Sequence, residues 1–361
     1  MNRVFNFFAG PSTMPLPVLE KIQKDFVEYP GIGMSLMETS HRSKTYDEIH
    51  NSAISNIKEL LEIPDNFHVM FLGGGATLQF TMVPMNLVGE KKGIDMTLTG
   101  AWAKKALADA RKVGEPRIVY DGAGDNFTTL PEANSMDLDP NAAYVHVTSN
   151  ETIGGVQWKE WPDTGNVPLV ADMSSDILSR RLPMEKFGLV YAGAQKNLAP
   201  AGVTLVIIRD DVLASCRGDL PAYLGYKTHA PKNSLYNTPP VFPIYAIKLV
   251  TDHVKEIGGM DEMERRAQQR ADAIYGAMDD SNGFYRCPVD PKVRSLMNIV
   301  WRLPTEELEK KFIAAATEDG MVGLKGHRDV GGCRASVYNA MPVEGALHLA
   351  QFMADFAAKN G

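Results

Sequence analysis

The chain has 361 residues, of which 44% are hydrophobic and 22% are charged, and its 37 Lys+Arg and 44 Asp+Glu give a net charge of −7. This length suits two domains, because a single core rarely grows beyond ~250–300 residues. The acidic balance argues against nucleic acid or an anionic membrane as a partner, although local basic groups can still bind small anions. No run of 18 apolar residues occurs, so we expect no membrane span.

Cysteine usage and the N-terminus indicate the compartment. Cys216, Cys287 and Cys333 are widely spaced and odd in number, and they form neither a CxxC pair, a zinc spacing nor a disulfide framework. A reducing compartment is the simple interpretation. The apolar patch near the N-terminus stops at Gly10-Pro11 and is too short for a signal peptide. We therefore expect a cytoplasmic protein without a metal site.

Helical periodicity alternates with short, β-rich apolar runs along the chain. The predicted helices are 16–29, 46–61 (with Ser43 or Thr45 as its cap), 101–113, 241–257, 260–278, 306–318 and 343–357. The predicted strands are 68–72, 96–99, 117–120, 143–148, 168–171, 189–192 and 203–208, with two weaker ones at 296–302 and 334–339.

The strands are continuously hydrophobic rather than alternating, which is typical of a mostly parallel sheet buried on both faces. We predict an α/β fold with an N-terminal arm (1–15), a large domain (16–245) around a mostly parallel, seven-stranded sheet, and a smaller α+β domain (246–361). The segment 221–243 is rich in Pro, Tyr and Asn and has no clear period. A loop of that length is usually functional or part of an interface.

Lys196 follows a buried strand within the sequence Ala-Gly-Ala-Gln-Lys-Asn. Burying an ammonium group is costly, and a desolvated lysine has a lowered pKa and becomes a usable amine nucleophile. Taken alone, however, a lysine at a strand end more often points into water.

Asp172 directly follows the predicted strand 168–171, at the sheet edge where parallel α/β folds place their sites. A carboxylate there could keep the ring nitrogen of a pyridine-type cofactor protonated, or it could simply cap a helix. An acid and a lysine at the ends of nearby strands are better evidence than either one alone.

Three further strand ends carry candidate ligand-binding residues. Gly73-Gly74-Gly75 precedes a helix start at Ala76-Thr77, which suits phosphate binding but also suits an empty tight turn. Trp102 could stack on a planar ring or simply pack in the core. Thr152, in Asn-Glu-Thr, could reach a phenolic or phosphate oxygen.

The ordered motifs resemble the phosphoserine aminotransferase family, in the class V group of fold-type I enzymes that use pyridoxal 5′-phosphate (PLP). They are Gly-Gly-Gly-Ala-Thr, Gly-Ala-Trp, Asn-Glu-Thr-Ile-Gly-Gly, Ala-Asp-Met-Ser-Ser, Ala-Gly-Ala-Gln-Lys-Asn, Tyr-Asn-Thr-Pro-Pro and Gly-His-Arg. The likeness extends over nearly the whole chain. It implies transfer of an amino group from L-glutamate to 3-phosphohydroxypyruvate in serine biosynthesis. In organisms that make PLP from erythrose phosphate, it also implies a phosphorylated hydroxythreonine as a substrate in pyridoxine biosynthesis.

The resemblance implies a role for each matching residue in a homodimer with shared sites. Lys196 would hold PLP as a Schiff base, Asp172 would face the pyridinium, Trp102 would stack on the ring and Thr152 would bond to its 3-oxygen. The phosphate would be held by Ala76, Thr77, Gln195 and, from the partner subunit, Asn237 and Thr238. Thr77 stands where several relatives have arginine.

Substrate anions are assigned to basic side chains, since carboxylates and phosphates favour arginine. The resemblance assigns the α-carboxylate to Arg334 and the phosphate to His41, Arg42, His327 and Arg328. Taken alone, His41 and Arg42 favour a solvated pair at a helix entry.

Two alternatives remain from the residues. Another class V enzyme could act on small amino acids and glyoxylate or, with a reactive cysteine, as a desulfurase. The second alternative is a non-catalytic protein of the same fold that binds PLP or phosphate. The intact set of lysine, acid and arginines argues against this alternative.

Overall fold

The computed structural model describes residues 3–328 and 330–361. Within these ranges the strands are β1 (Phe5–Asn6), β2 (Phe67–Leu72), β3 (Gly93–Leu98), β4 (Glu115–Asp121), β5 (Val145–Thr148), β6 (Leu169–Asp172), β7 (Leu189–Gly193), β8 (Thr204–Arg209), β9 (Asn298–Trp301), β10 (Met321–Val322) and β11 (Cys333–Ser336). The helices are α1 (Leu16–Asp25), α2 (Lys44–Leu60), α3 (Gly75–Leu87), α4 (Ala101–Ala110), α5 (Asp210–Ser215), α6 (Tyr226–His229), α7 (Val241–Glu256), α8 (Gly259–Asp279), α9 (Glu306–Glu318) and α10 (Val343–Asn360).

Seven of these strands form one sheet in the order β2-β8-β7-β6-β5-β3-β4, which confirms the predicted α/β architecture. Every neighbouring pair is parallel except those made by β8, which is antiparallel to both β2 and β7. Successive residues of β7 alternate between two hydrophobic cores, because Val190 packs on one face of the sheet and Tyr191 on the other. The sheet is therefore covered on both sides, as its continuous hydrophobicity indicates.

Strand β2 lies at one edge of this sheet, and its pairing partner is distant in sequence. Its register with β8 runs from Phe67 opposite Arg209 to Leu72 opposite Thr204. On the outer side of the edge, the backbone N–H of Phe71 donates to Oγ of Ser234 at 3.0 Å. A side chain of the irregular 221–243 segment thus satisfies a donor that the edge would otherwise leave unpaired.

The direction of the strands gathers several loops at one edge. Strands β3, β5, β6 and β7 are parallel neighbours, and β2 shares their direction because it is antiparallel to β8. The segments that follow these five strands therefore meet at the carboxyl edge, where open α/β sheets bind their ligands.

The C-terminal part contains a separate core. Strands β9 and β11 form an antiparallel pair, and helices α8, α9 and α10 pack with them around Trp301 and Phe312. The N-terminal arm joins this part, since β1 pairs in parallel with β10. The predicted domain boundary after residue 245 falls inside α7, and the division at that residue stays a prediction.

The predicted helices are present, with small shifts at their ends. Ser43 is the cap of α2, and its side chain accepts a hydrogen bond from the backbone N–H of Tyr46. Helix α9 spans the predicted residues, whereas α1 ends at Asp25, four residues early. In the described ranges, none of the helices is long and apolar enough to cross a lipid bilayer.

Candidate active site

Lys196 lies in the turn between β7 and β8, at the carboxyl edge of the sheet. Its Nζ atom donates a hydrogen bond of 2.6 Å to Oγ1 of Thr152 and lies 5.0 Å from the ring centroid of Trp102. Burial lowers the pKa of Lys196 to about 8, against the opposing charges of Asp172 and Glu151. The neutral, nucleophilic amine is therefore accessible near physiological pH.

Asp172 is the last residue of β6, and its side chain is buried. Its Oδ1 atom accepts hydrogen bonds from the backbone N–H and the hydroxyl of Ser174, at 2.9 and 2.6 Å. Burial raises the pKa of Asp172, while the charge of Lys196 and the Ser174 hydrogen bonds lower it. The Ser174 hydroxyl also accepts the N–H of Gly193 at 3.0 Å, so it ties the carboxylate to the strand that leads to the lysine.

Arg334 connects the C-terminal part to this cluster. From β11, its Nη1 donates to the carbonyl of Thr152 at 3.2 Å. Its Nε is buried without a hydrogen-bond partner among the described residues, and burial lowers its pKa. Three predicted site residues, Lys196, Thr152 and Arg334, are thus joined in one chain of contacts.

A cavity of about 390 Å³ opens beside Arg334. Ile153 and Gly154 line it from the large sheet's side, and His327 lines it together with Arg334 from the other. Arg328, next to His327, is exposed. The cavity therefore combines an apolar wall with cationic or polar groups, which suits a small anion.

The glycine turn after β2 has the geometry of an anion-binding loop. Gly74 adopts a φ of +86°, a conformation that glycine reaches without steric cost, and it precedes α3. Ala76 and Thr77 lie in the first turn of α3, and open space surrounds the position that a Cβ on Gly75 would take. Backbone N–H groups at such a helix start bind phosphate.

Gln195 folds back over the end of β7. Its Oε1 atom lies only 2.9 Å from the position of a Cβ on Gly193, so a larger residue there would displace the end of the Gln195 side chain.

Four predicted site residues lie away from this cluster in the single chain. His41 and Arg42 occupy the turn before α2, and Arg42 donates its backbone N–H to Oγ of Ser40 at 3.2 Å. Asn237 and Thr238 are exposed, in the irregular segment before α7. Nothing in the described ranges of this chain brings either pair to Lys196.

Sequence reasoning did not identify Glu151 as a site residue. It is fully buried directly before Thr152, and its carboxylate accepts hydrogen bonds from the backbone N–H groups of Trp102 and Ala103. Burial raises the pKa of Glu151 to about 7, while these bonds and the charge of Lys196 lower it. The signal was present, since Glu151 is an acid that follows the buried strand β5 by three residues.

The chain matches the family model for class-V aminotransferases over residues 4–349. It is 53% identical to a phosphoserine aminotransferase of Geobacillus kaustophilus over 356 residues, which cover 99% of both chains. The solved phosphoserine aminotransferase of Bacillus circulans subsp. alkalophilus superposes with a TM-score of 0.97 at 50% identity, covering 99% of both chains. The PLP-bound phosphoserine aminotransferase of Trichomonas vaginalis superposes with a TM-score of 0.89 at 36% identity, covering 97% of this chain and 99% of that one.

The chain belongs to the phosphoserine aminotransferase family of class-V aminotransferases. It is a PLP-dependent transaminase, and the predicted family, fold and cofactor are confirmed. Relatives of this similarity do not favour the glyoxylate-dependent alternative. The desulfurase alternative also lacks a reactive thiol at Cys216 and Cys333, since burial raises the pKa of both, that of Cys216 to about 12.

The residues of this aminotransferase fit PLP. An amine of lowered pKa, a buried carboxylate and a half-buried indole surround one region, and Nε1 of Trp102 is buried without a hydrogen-bond partner among the described residues. The start of α3 supplies backbone donors suited to the phosphate.

Proposed function

We propose that the chain transfers the amino group of L-glutamate to 3-phosphohydroxypyruvate, giving O-phospho-L-serine and 2-oxoglutarate in serine biosynthesis. The observation that carries this proposal is Lys196, an amine of lowered pKa between Thr152 and Trp102, in a chain about half identical to phosphoserine aminotransferases. The same site would accept a phosphorylated hydroxythreonine in pyridoxine biosynthesis, because that substrate carries the same two anionic groups. We place the enzyme in the cytoplasm, consistent with its three free thiols.

Lys196 and Asp172 form the catalytic pair of this proposal. When bound, PLP supplies an electron sink for the charge left on the substrate's α-carbon. Nζ of Lys196 takes the proton from that carbon as a general base, and its lowered pKa suits the task. The Asp172 carboxylate would face the cofactor's ring nitrogen and hold a proton there. Ser174 keeps the carboxylate in place through two hydrogen bonds.

The other cofactor contacts surround this pair. Trp102 would cover the ring, and the Thr152 hydroxyl, which accepts a hydrogen bond from Lys196 here, would bond to the cofactor's 3-oxygen. Ala76 and Thr77 at the start of α3 would hold the phosphate together with Gln195, from the turn between β7 and β8.

Substrate anions divide between two sets of cations. Arg334 holds the α-carboxylate, because its Nε is buried and available beside the cavity. His327 and Arg328 hold the distal group, which is phosphate in phosphoserine and carboxylate in glutamate. His41 and Arg42 reach the same distal group from the partner subunit.

Replacing these arginines separates their roles. We expect Arg334→Ala to lower kcat/KM for glutamate and phosphoserine alike, since both carry an α-carboxylate. Arg328→Ala should harm phosphoserine more, because phosphate carries the larger charge. Each loss should be ~1.5–3 kcal/mol, or roughly ten- to a hundredfold. The measurement is kcat/KM for both substrates in each variant.

Arg181→Ala is the control, because that arginine is exposed and pairs with Glu62 and Asp261. Equal losses for both substrates in both variants would contradict this division. A wild-type enzyme that prefers unphosphorylated serine would overturn the substrate assignment itself.

We also propose a homodimer in which each subunit completes the other's phosphate site. Asn237 and Thr238 are exposed here, and their segment is tied to the sheet edge through Ser234, so they are presented outwards. Exposed apolar side chains lie in the N-terminal part of the chain, among them Phe26, Val27 and Met37.

Mixing two inactive variants tests the shared site. Subunits with Lys196→Ala and subunits with both Asn237→Ala and Thr238→Ala should recover activity as hybrids, up to roughly a quarter of the wild-type level if exchange is statistical and interfaces are two-fold. The hybrid has one intact site, built from the unmodified half of each subunit. Activity is measured after exchange has been verified by differential tagging. If the activity of the mixture never exceeds the activity of either variant alone, the proposal is contradicted.

A further inference from the structure

Glu151 occupies an unusual place for a carboxylate. Its side chain is fully buried at the N-terminus of α4, where Oε2 accepts the N–H of Trp102 at 3.2 Å and Oε1 accepts that of Ala103 at 3.0 Å. The hydroxyl of Thr99 lies 3.5 Å from Oε1. These N–H groups have no partner within the helix, and a negative charge at this end also interacts favourably with the helix dipole.

Glu151 caps α4 because the helix's own N-cap residue cannot. Gly100 occupies the N-cap position and has no side chain with which to cap the helix. Its φ of 167° is ordinary extended backbone, so glycine is not required there for conformation. It is required for space, because a Cβ on Gly100 would lie 2.5 Å from Cδ of Glu151. The pair therefore works as one unit, in which glycine makes room for a carboxylate 51 residues later in the chain.

The carboxylate lies between two groups of the proposed cofactor site. On one side it bonds to the backbone of Trp102, whose ring centroid lies 5.0 Å from Nζ of Lys196. On the other side the next residue, Thr152, accepts the hydrogen bond of that lysine. Glu151 is thus bonded to the backbone that carries the stacking ring and is adjacent in sequence to the threonine that contacts the lysine.

We propose that Glu151 is a positioning residue that fixes the first turn of α4, and so holds the Trp102 ring against the cofactor. This inference rests on the proposed stacking role of Trp102. It also explains what fixes the position of the ring. The buried Glu151 carboxylate bonds to the backbone that carries the ring, and Gly100 leaves space for that carboxylate.

The test compares PLP affinity in Glu151→Gln with the wild type. Glutamine keeps the shape but offers one acceptor oxygen, and its amide nitrogen faces a backbone donor. We expect the dissociation constant of PLP to rise about tenfold, as for the loss of a hydrogen bond to a charged group. We also expect the circular dichroism of the cofactor's absorption band to weaken.

A double-mutant cycle shows whether the effect acts through the ring. In a Trp102→Ala background, Glu151→Gln should raise the dissociation constant of PLP by less than about twofold, since the group it positions is gone. Full additivity would overturn the positioning role while leaving the stacking role of Trp102 intact. If Trp102→Ala alone left PLP affinity unchanged, the stacking role would fail, and this inference with it.

Gly100→Ala tests the contact between Gly100 and Glu151 without changing Glu151 itself. Its Cβ displaces the carboxylate without removing the charge, and we expect a similar loss of PLP affinity. This variant keeps the inference testable if Glu151→Gln does not fold, and unchanged PLP binding in a folded Gly100→Ala protein would contradict it.

Thr305→Ala is the matched control for a lost helix cap. The Thr305 hydroxyl accepts the N–H of Leu308 at 3.2 Å at the start of α9, outside the proposed site. We expect its loss to lower Tm by roughly 1–3 °C with PLP affinity unchanged.

Discussion

Lys196→Ala should abolish transamination while leaving the protein able to bind PLP. The substitution removes both the amine that would hold the cofactor and the proposed general base, which alone contributes roughly 10²–10⁴-fold to a rate. Phosphate contacts at the start of α3 should keep PLP bound. Turnover with glutamate and phosphohydroxypyruvate is the first measurement, and covalent labelling of the chain after borohydride reduction is the second.

Lys112→Ala is the control, because its exposed amine pairs with Asp109 at 2.6 Å on the surface. It should keep full turnover and remain labelled by borohydride. The assignment of this lysine would be wrong if the Lys196→Ala enzyme kept near-normal turnover and still formed a borohydride-reducible bond with PLP at the original stoichiometry.

Asp172→Asn should give the second largest loss. The substitution preserves shape but removes the charge opposite the lysine and the ring nitrogen, in a buried site. Removing one partner of a buried ion pair costs about 3–5 kcal/mol, which corresponds to roughly 10²–10⁴-fold in rate if the loss falls on the transition state. We therefore expect kcat to fall by that factor while PLP affinity falls much less.

Asp95→Asn is a suitable comparison. Asp95 is also a buried carboxylate of the sheet, bonded by the Arg117 guanidinium at 2.9 and 3.0 Å. Its substitution should lower Tm without a matching loss of kcat. If Asp172→Asn instead abolished PLP binding, and the fraction that retained cofactor turned over normally, Asp172 would be a structural residue.

Local patterns predicted much of the fold. Helix α9 spans the predicted residues because its signals lie within a few positions of each other: the cap Thr305, acids in the first turn and Gly320 just beyond the end. The seven sheet strands were recognisable as short, continuously apolar runs. Helix α3 was predicted only at its start, and it contains Pro84, a residue that ordinarily interrupts a helical pattern.

Relations between distant segments were not predictable from such patterns. The place of β2 at the edge of the sheet depends on its pairing with β8, which lies more than a hundred residues later in the chain. The importance of Glu151 depends on Gly100, which approaches it only in the folded chain. Lys196 and Asp172 were identifiable because Asp172 ends β6 and Lys196 follows the end of β7 by three residues. The contact of Arg334 with Thr152, in contrast, requires the C-terminal part to be in place.

The pairing of β2 with β8 also bears on how the chain matures on the ribosome. Strand β2 is complete by residue 72, but its only strand partner in the described sheet ends at residue 209. Until β8 has been synthesised, the nascent chain carries an apolar strand with no ladder on either side, which favours association with other unfinished chains. The turn that carries Lys196 joins β7 to this same late strand, so the strand that pairs with β2 is synthesised directly after the proposed catalytic lysine.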